Sequence, residues 1–281
     1  MNTENYIREF IQLALTEDIG DGDHTSLSCI PKTHMGKAQL FAKQDGILAG
    51  VKVAKMVYRI FDPALEVNTF ITDGSHIKKG DLVFEVQGNE LSILQTERLV
   101  LNFMQRMSGI ATQTNEYVKI VEGLNTKILD TRKTTPGMRL FEKMAVKLGG
   151  GENHRMGLYD MIMIKDNHID FAGGIKQAIE STKKYLQENN KNLKIEVEAR
   201  NFDEIAEIMN VGGIHRIMID NFTVKDTKRA VELIGGKFET ESSGGITKQT
   251  LREYAECGVD YISVGALTHQ IKSLDLSLKA I

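Results

Sequence analysis

KIEVEARNFDEIAEIMNVGGIHRIMIDNFTVKDTKRAVELIGGKFETESSGG (194–245) repeats one rhythm along its length. Three short β-rich runs, KIEVEAR (194–200), RIMIDN (216–221) and KFETESSGG (237–245), enclose two amphipathic helical stretches, NFDEIAEIMNVG (201–212) and TVKDTKRAVELI (223–234). Apolar residues at helical spacing between strand-like runs mark βαβ units. The alternation extends outward. KILDTR (127–132) and MIMIKDN (161–167) precede it, YISVGAL (261–267) follows, and GGIKQAIESTKKYL (173–186) and TKQTLREYAECG (247–258) read as further helices. Such a pattern predicts a parallel sheet with right-handed crossovers. Six strands are clear, and HRMGL (154–158) is a candidate seventh. An open doubly wound sheet and a closed α/β barrel both satisfy it. Polar residues gather at the C-terminal end of nearly every strand, and the last two strands end in glycine-containing turns, which favours the barrel.

The first 110 or so residues differ. A helix with Tyr6, Ile7, Phe10, Ile11, Ala14 and Leu15 at helical spacing ends at EDIGDGDHTS (17–26). Alternating pieces follow: KAQLFAKQDGILAG (37–50), LEVNTFITDGSHI (65–77) and GDLVFEVQG (80–88), with Asp-Gly turns among them. An amphipathic helix around LQTERLVLNFMQRMSG (94–109) closes this half.

A chain of 281 residues holds one barrel-sized domain plus a smaller one, and 41% hydrophobic with 26% charged residues suits a packed globular protein. A net charge of -3 gives no attraction for nucleic acid or an anionic membrane. No apolar stretch approaches the roughly 18 residues of a membrane span. MNTENYIREFIQLAL (1–15) lacks the basic start and apolar block of a signal peptide. Only Cys29 and Cys257 occur, with no CxxC pair, so neither a disulfide framework nor a cysteine zinc site is expected, and a reducing cytoplasm fits.

The strand ends form an inventory: Asp130-Thr131-Arg132-Lys133, Lys165-Asp166-Asn167-His168, Glu196 and Glu198, Asp220-Asn221, Ser242-Ser243-Gly244-Gly245, and Gly265-Ala266. Residues 127–168 carry eight Lys/Arg against five Asp/Glu inside a chain of net charge -3. A local cationic cluster in an acidic chain points to a small anionic ligand rather than a nucleic acid, which wants a wider basic surface. Lys143 and Lys147 read as the solvated face of a helix over 138–148. Arg132, Lys133, Arg155 and Lys165 stand beside apolar or β-forming residues and read as ligand-facing. Arginine gives a planar two-point grip on carboxylates, and lysine a point charge for phosphate. Glu198 and Asp220 could hold a divalent cation or face a developing positive charge, while Asp220 could equally cap the next helix. SSGG with Ile246-Thr247 opening a helix offers backbone N–H groups to an anion, in the late-strand position where barrels dock phosphates.

GxxxxGK[ST], GxGxxG after a strand, HExxH and GxSxG are absent. His154 stands out for its setting, GGGENHR (149–155), although a lone histidine is more often structural. Met104, Met107, Met138, Met144, Met161 and Met163 read as core packing.

ILDTRKTTPGMRLFEKMAVKLGGGENHRMGLYDMIMIKDNHI (128–169) resembles nicotinate-nucleotide pyrophosphorylase (carboxylating), also called quinolinate phosphoribosyltransferase. EDIGDGDHTS, ERLVLNFMQRMSGIAT (97–112), EVEARN, MIDNF, SSGGIT and GVDYISVGALTH are similar to that family's other blocks, in order, with no departure at a motif position. The resemblance implies an N-terminal open α/β sandwich (1–112, joined by the 269–281 tail) and a seven-stranded α/β barrel (113–268). It implies phosphoribosyl transfer from phosphoribosyl pyrophosphate to quinolinate with decarboxylation, Mg²⁺ as cofactor, and at least a homodimer. Arg98 would then complete a neighbour's site. Arg132, His154 and Arg155 would hold the quinolinate carboxylates, with Lys133 and Lys165 between the substrates. Glu198 and Asp220 would bind the ribose hydroxyls and Mg²⁺, and Ser243, Gly244, Gly245, Gly265 and His269 the 5′-phosphate.

Three rival readings stand beside this one. A paralogue of the same fold is associated with molybdate transport, but the intact RK, HR and K set favours the quinolinate enzyme. A Schiff-base lyase would use Lys165 as a strand-end lysine. A carrier module would rest on DGSHIKKGDLVFEV (73–86), which lacks a lysine at an obvious tip.

Overall fold

The structure, a computed structural model, describes residues 3–281; Met1 and Asn2, at the start of the expected first domain, lie outside them. The described chain divides into two compact units. One gathers the residues up to Asn115, Thr135–Gly150 and Gln270–Ile281; the other comprises Glu116–Thr134 and Gly151–His269. Among the described residues no helix is long and apolar enough to cross a membrane.

In chain order the first unit opens with α1 (Thr3–Ile19), α2 (His24–Cys29), β1 (Met35–Ala42), β2 (Gly46–Ile47), α3 (Val51–Phe61), β3 (Glu66–Thr69), β4 (His76–Ile77), β5 (Leu82–Asn89) and α4 (Glu90–Ile120). Ile7, Ile11 and Leu15, four residues apart, are the buried stripe of α1. The Asp23 carboxylate accepts the Ser26 N–H and so caps α2. β1 alternates between faces and buries Ala38, Leu40 and Ala42. Its neighbours are β5 and, across the other edge, the last strand of the chain, which pairs Ala280 with Ala38. Tyr58 of α3 packs edge-on against Phe84 of β5, at 6.1 Å between ring centroids.

The remaining elements are β6 (Lys127–Leu129), α5 (Arg139–Leu148), β7 (Ile162–Ile164), α6 (Asp166–Ala172), α7 (Ile175–Glu188), β8 (Ile195–Ala199), α8 (Phe202–Val211), β9 (Arg216–Asp220), α9 (Val224–Ile234), β10 (Glu239–Ser243), α10 (Leu251–Glu256), β11 (Tyr261–Ser263), α11 (Ala266–His269) and β12 (Leu276–Ala280). The antiparallel sheet of the first unit runs β12-β1-β5-β3.

α5 belongs to the first unit, although it lies between β6 and β7 in sequence. Its Phe141 ring sits 5.3 Å from Phe10 and 4.9 Å from Phe103, and truncating such a buried ring costs about 3–5 kcal/mol. Glu142, fully buried, takes the Arg106 guanidinium at 2.6 Å. Here one expectation is corrected. Lys147 is exposed, but Lys143 is fully buried, because it shares the inward face of α5 with Phe141, Glu142, Ala145 and Val146. Charge alone was a poor guide to that face, since a long lysine stem buries readily when its ammonium has partners.

The second unit is built on a parallel six-stranded sheet, ordered β6-β11-β10-β9-β8-β7. Asn201 caps α8 by accepting the Glu204 N–H, and Thr223 caps α9 by accepting the Asp226 N–H. Gly212 and Gly235 end those two helices at positive φ. HRMGL is not a strand. At the expected seventh position Glu152 alone forms a parallel bridge to Leu129 of β6, and the paired ladder ends at β7. Strand pairing also sets cross-strand layers: Glu196, Arg216 and Glu239 lie side by side, then Glu198, Met218, Glu241 and Tyr261, then Asp220 and Ser243. Because side chains alternate, these residues share one face of the sheet, and the site is assembled there.

Candidate active site

Two cavities open on the C-terminal ends of the parallel strands. The smaller, about 180 Å³, has Arg132, Lys133, His154, Arg155 and Lys165 in its wall together with Met163 and Met218. The larger, about 620 Å³, is lined by Lys133, Lys165, Glu198, Asp220, Ser243, Gly244, Gly245, Gly265 and His269. Lys133, Lys165 and Ser243 belong to both. Of the residues to which the resemblance gives a substrate role, Arg98 stands apart: it is exposed on α4 and lines neither cavity.

Local bonding fixes the cations. The Lys133 N–H donates to Thr131 Oγ1 at 3.0 Å, and the Lys133 carbonyl accepts Thr268 Oγ1 at 2.8 Å, which ties the loop after β6 to α11. Lys165 follows β7, and its Nζ lies 3.1 Å from Glu198 Oε2. This contact turns the Lys165 amine toward a carboxylate of the larger cavity's wall. The Arg155 guanidinium donates to the Met161 carbonyl at 3.3 Å. Burial, and then the neighbouring Arg132, lower the Arg155 pKa, so two guanidiniums crowd one wall and an anion between them relieves the repulsion.

On the opposite wall, Asp220 does not cap α9, since Thr223 does; its Oδ2 instead accepts Asn221 Nδ2. Gly244 and Gly245 take positive φ, +96° and +62°, but they do not lead straight into a helix as expected. A turn closed by Thr250 N–H onto the Thr247 carbonyl intervenes, and α10 begins at Leu251. A Cβ on Gly265 would stand 3.0 Å from both His269 and Lys133, so this backbone approaches two site side chains closely.

Beneath the smaller cavity lies a buried ionic group. His154 Nε2 faces Glu196 Oε2 at 3.0 Å and Glu241 Oε2 at 3.3 Å, and Arg216 Nη1 donates to Glu241 Oε2 at 2.8 Å. The Arg216 guanidinium also lies over the Tyr261 ring, 3.9 Å from its centroid. Burial opposes charge on His154, but Glu196 and Glu241 outweigh it and push the pKa up to about 9. Against this, the Arg155 N–H reaches His154 Nδ1 at 2.7 Å, a contact that needs a lone pair there. Two facing carboxylates outweigh one backbone contact, so the imidazolium prevails at neutral pH. Burial, and then Glu241, raise Glu196 to about 7, whereas His154 and Arg216 hold Glu241 low against its own burial. His154, Glu196 and Glu241 have the composition of a metal site. Here the positive charge comes from the protein itself: His154 faces Glu196 and Glu241, and Arg216 is shared among Glu241 at 2.8 Å, Glu239 at 3.2 Å and Glu196 at 3.9 Å.

Several wall residues escaped the sequence reading. Met163 and Met218 give the smaller cavity its apolar surface, although Met163 was assigned to core packing. Glu241 also lines that cavity, with Arg216 behind it, and both lie inside their strands rather than at the ends; the alternation of Arg216, Met218 and Asp220 along RIMID is the sequence signal for this face.

Two family models cover nearly the whole chain: the quinolinate phosphoribosyl transferase N-terminal domain matches residues 23–108, and the C-terminal domain residues 110–279. The chain belongs to the quinolinate phosphoribosyltransferase family. Among relatives of this family, "Quinolinate phosphoribosyltransferase [decarboxylating] 2, mitochondrial" of Nicotiana glauca is 46% identical over 288 residues, covering 97% of this chain and 82% of that protein. A "probable nicotinate-nucleotide pyrophosphorylase [carboxylating]" of Bacillus subtilis is 41% identical over 97% of this chain and 92% of its own. The crystal structure of NadC from Streptococcus pyogenes and the structure of the nicotinate-nucleotide pyrophosphorylase from Francisella tularensis each superpose with a TM-score of 0.93 at 38% identity. Both cover 100% of this chain and 98–99% of the other. The phosphoribosyltransferase fold, a parallel-strand α/β sheet with a separate N-terminal sheet unit, is therefore shared along the full length.

Proposed function

We propose that the two cavities bind quinolinate and phosphoribosyl pyrophosphate side by side. The chain is a decarboxylating quinolinate phosphoribosyltransferase of NAD biosynthesis: it joins the phosphoribosyl group to the pyridine nitrogen and releases pyrophosphate and carbon dioxide. One observation carries the assignment of substrates to cavities. A small cationic cavity shares Lys133 and Lys165 with a larger one lined by carboxylates and glycine turns.

In this assignment Arg132 and Arg155 grip the two carboxylates of the flat diacid through charge-assisted hydrogen bonds, and His154, whose ring nitrogens already face Glu196, Glu241 and the Arg155 N–H, contributes its ring to the wall of the same cavity. Met163 and Met218 bear on its ring. The backbone around Ser243, Gly244, Gly245 and Gly265, with His269, takes the 5′-phosphate. Glu198 and Asp220 bind the ribose hydroxyls and favour the cationic character that the sugar gains as its bond to diphosphate breaks. Lys133 and Lys165 meet the charge that develops on the leaving oxygen. Glu198 and Asp220 are hard oxygen donors in a polar cavity and suit Mg²⁺, which when bound would neutralise the diphosphate. Once the ring nitrogen is glycosylated it is positive, and it stabilises the carbanion left as the adjacent carboxylate departs. The protein's part in that step is positioning.

Arg98, exposed and outside both cavities, is assigned to the quinolinate site of a second copy, in a homodimer. A cytoplasmic or other reducing compartment suits its two free thiols, Cys29 and Cys257; the plant relatives are named as mitochondrial or chloroplastic. The test is an assay of purified protein with quinolinate, phosphoribosyl pyrophosphate and Mg²⁺. Carbon dioxide release that requires all three is expected, and release that ignores phosphoribosyl pyrophosphate would refute the assignment.

A further inference from the structure

Asn221 follows the last residue of β9 with φ of +57°, a left-handed conformation that non-glycine residues adopt rarely and that concentrates at functional sites. Its side chain is exposed, so the core does not demand it. Three contacts do. Asn221 Nδ2 donates to Asp220 Oδ2 at 2.5 Å. The Asn221 N–H donates to the Ser243 carbonyl at 2.9 Å, beside the register pair of Asp220 and Ser243. On Gly244, a Cβ would collide with Asn221 Oδ1 and Cγ, so the glycine turn is shaped around this amide. All four residues line the larger cavity.

We infer that Asn221 is a positioning residue for the sugar-diphosphate site: its amide sets the Asp220 carboxylate and seats the Ser243–Gly245 turn against it. The amide supplies one donor to one Asp220 oxygen, which turns the carboxylate as a unit and presents its other oxygen to a ribose hydroxyl or a hydrated cation. Its bulk keeps the glycine backbone at the distance where N–H groups meet a phosphate. The left-handed backbone is what lets one residue touch both.

This inference rests on the assignment of the larger cavity to phosphoribosyl pyrophosphate. Asn221→Gly keeps the left-handed backbone and removes only the amide, and Asn221→Asp keeps the shape but sets a carboxylate against Asp220. Steady-state kinetics with each variant should show KM for phosphoribosyl pyrophosphate rising roughly tenfold or more, as loss of a hydrogen bond to a charged group implies, with KM for quinolinate within about twofold. Calorimetric titration of the magnesium–phosphoribosyl pyrophosphate complex into the variants should show the same weakening. A purely structural role would lower melting temperature and leave that split absent. Unchanged KM for phosphoribosyl pyrophosphate in Asn221→Gly, or equal rises for both substrates, would overturn the inference. An inactive native protein would instead refute the functional assignment beneath it.

Discussion

Replacing Glu241 with glutamine removes one of the two carboxylates that face His154 and keeps the side chain's size. In the native protein burial opposes the imidazolium, yet Glu196 and Glu241 raise its pKa from 6.5 to about 9. A histidine whose pKa is raised on folding stabilises the fold fully below about pH 6.5 and loses that contribution as pH climbs through 9. Above pH 8, Glu196, pushed up to about 7 by burial and Glu241, is already ionised, so His154 is the member of the group that still titrates. For a shift from 6.5 to about 9, linkage gives a loss of about 1.4 kcal/mol between pH 8 and pH 10. Glu241→Gln lowers the His154 pKa and shrinks that loss to a few tenths. It also destabilises the fold at every pH, by roughly 2–4 kcal/mol, because the buried Arg216 loses its closest charged partner. Urea unfolding of both proteins at pH 8, 9 and 10 reads the effect, and lysines and tyrosines that titrate in both cancel in the difference. Parallel losses would mean that His154 is neutral in the folded protein and that the Arg155 contact with Nδ1 governs its protonation.

Two further outcomes concern substrate binding. Arg155→Ala should raise the KM for quinolinate about 10- to 100-fold, the weight of a charge-assisted contact, and leave the KM for phosphoribosyl pyrophosphate within about twofold; equal loss of both would remove Arg155 from the quinolinate site. Mixing Arg98→Ala subunits with Lys165→Ala subunits should restore part of the activity that each lacks alone, because one composite site would then be intact; no recovery would mean that Arg98 does not act across a dimer.

Strand–helix alternation made the parallel sheet legible, since strands flanked by helices on a fixed period leave few topologies. Strand ends likewise exposed Arg132, Lys133, Lys165, Glu198 and Asp220, which share the walls of two adjoining cavities. Other features were illegible for physical reasons. α5 looks like a barrel helix by position, and long-range contacts, Phe141 with Phe10 and Phe103 and Glu142 with Arg106, draw it into the first unit. Lys143 looks solvated because burial of a lysine depends on partners distant in sequence. The pairing of His154 with Glu196 and Glu241 joins a loop to two strands, and no local pattern announces it. HRMGL (154–158) is a candidate seventh strand by sequence, but a single bridge forms just before it, at Glu152.

The central claim is that a diacid held in the cavity walled by Arg132, His154, Arg155 and Lys165 is glycosylated on nitrogen beside a sugar diphosphate and then loses the adjacent carboxylate. Quinolinate labelled with ¹³C in one carboxyl group at a time, incubated with the enzyme, phosphoribosyl pyrophosphate and Mg²⁺, tests it directly. Label in the carboxylate next to the ring nitrogen should leave entirely as carbon dioxide, and label in the other should stay in the nucleotide. Release from both positions, or release before any nucleotide forms, would contradict it.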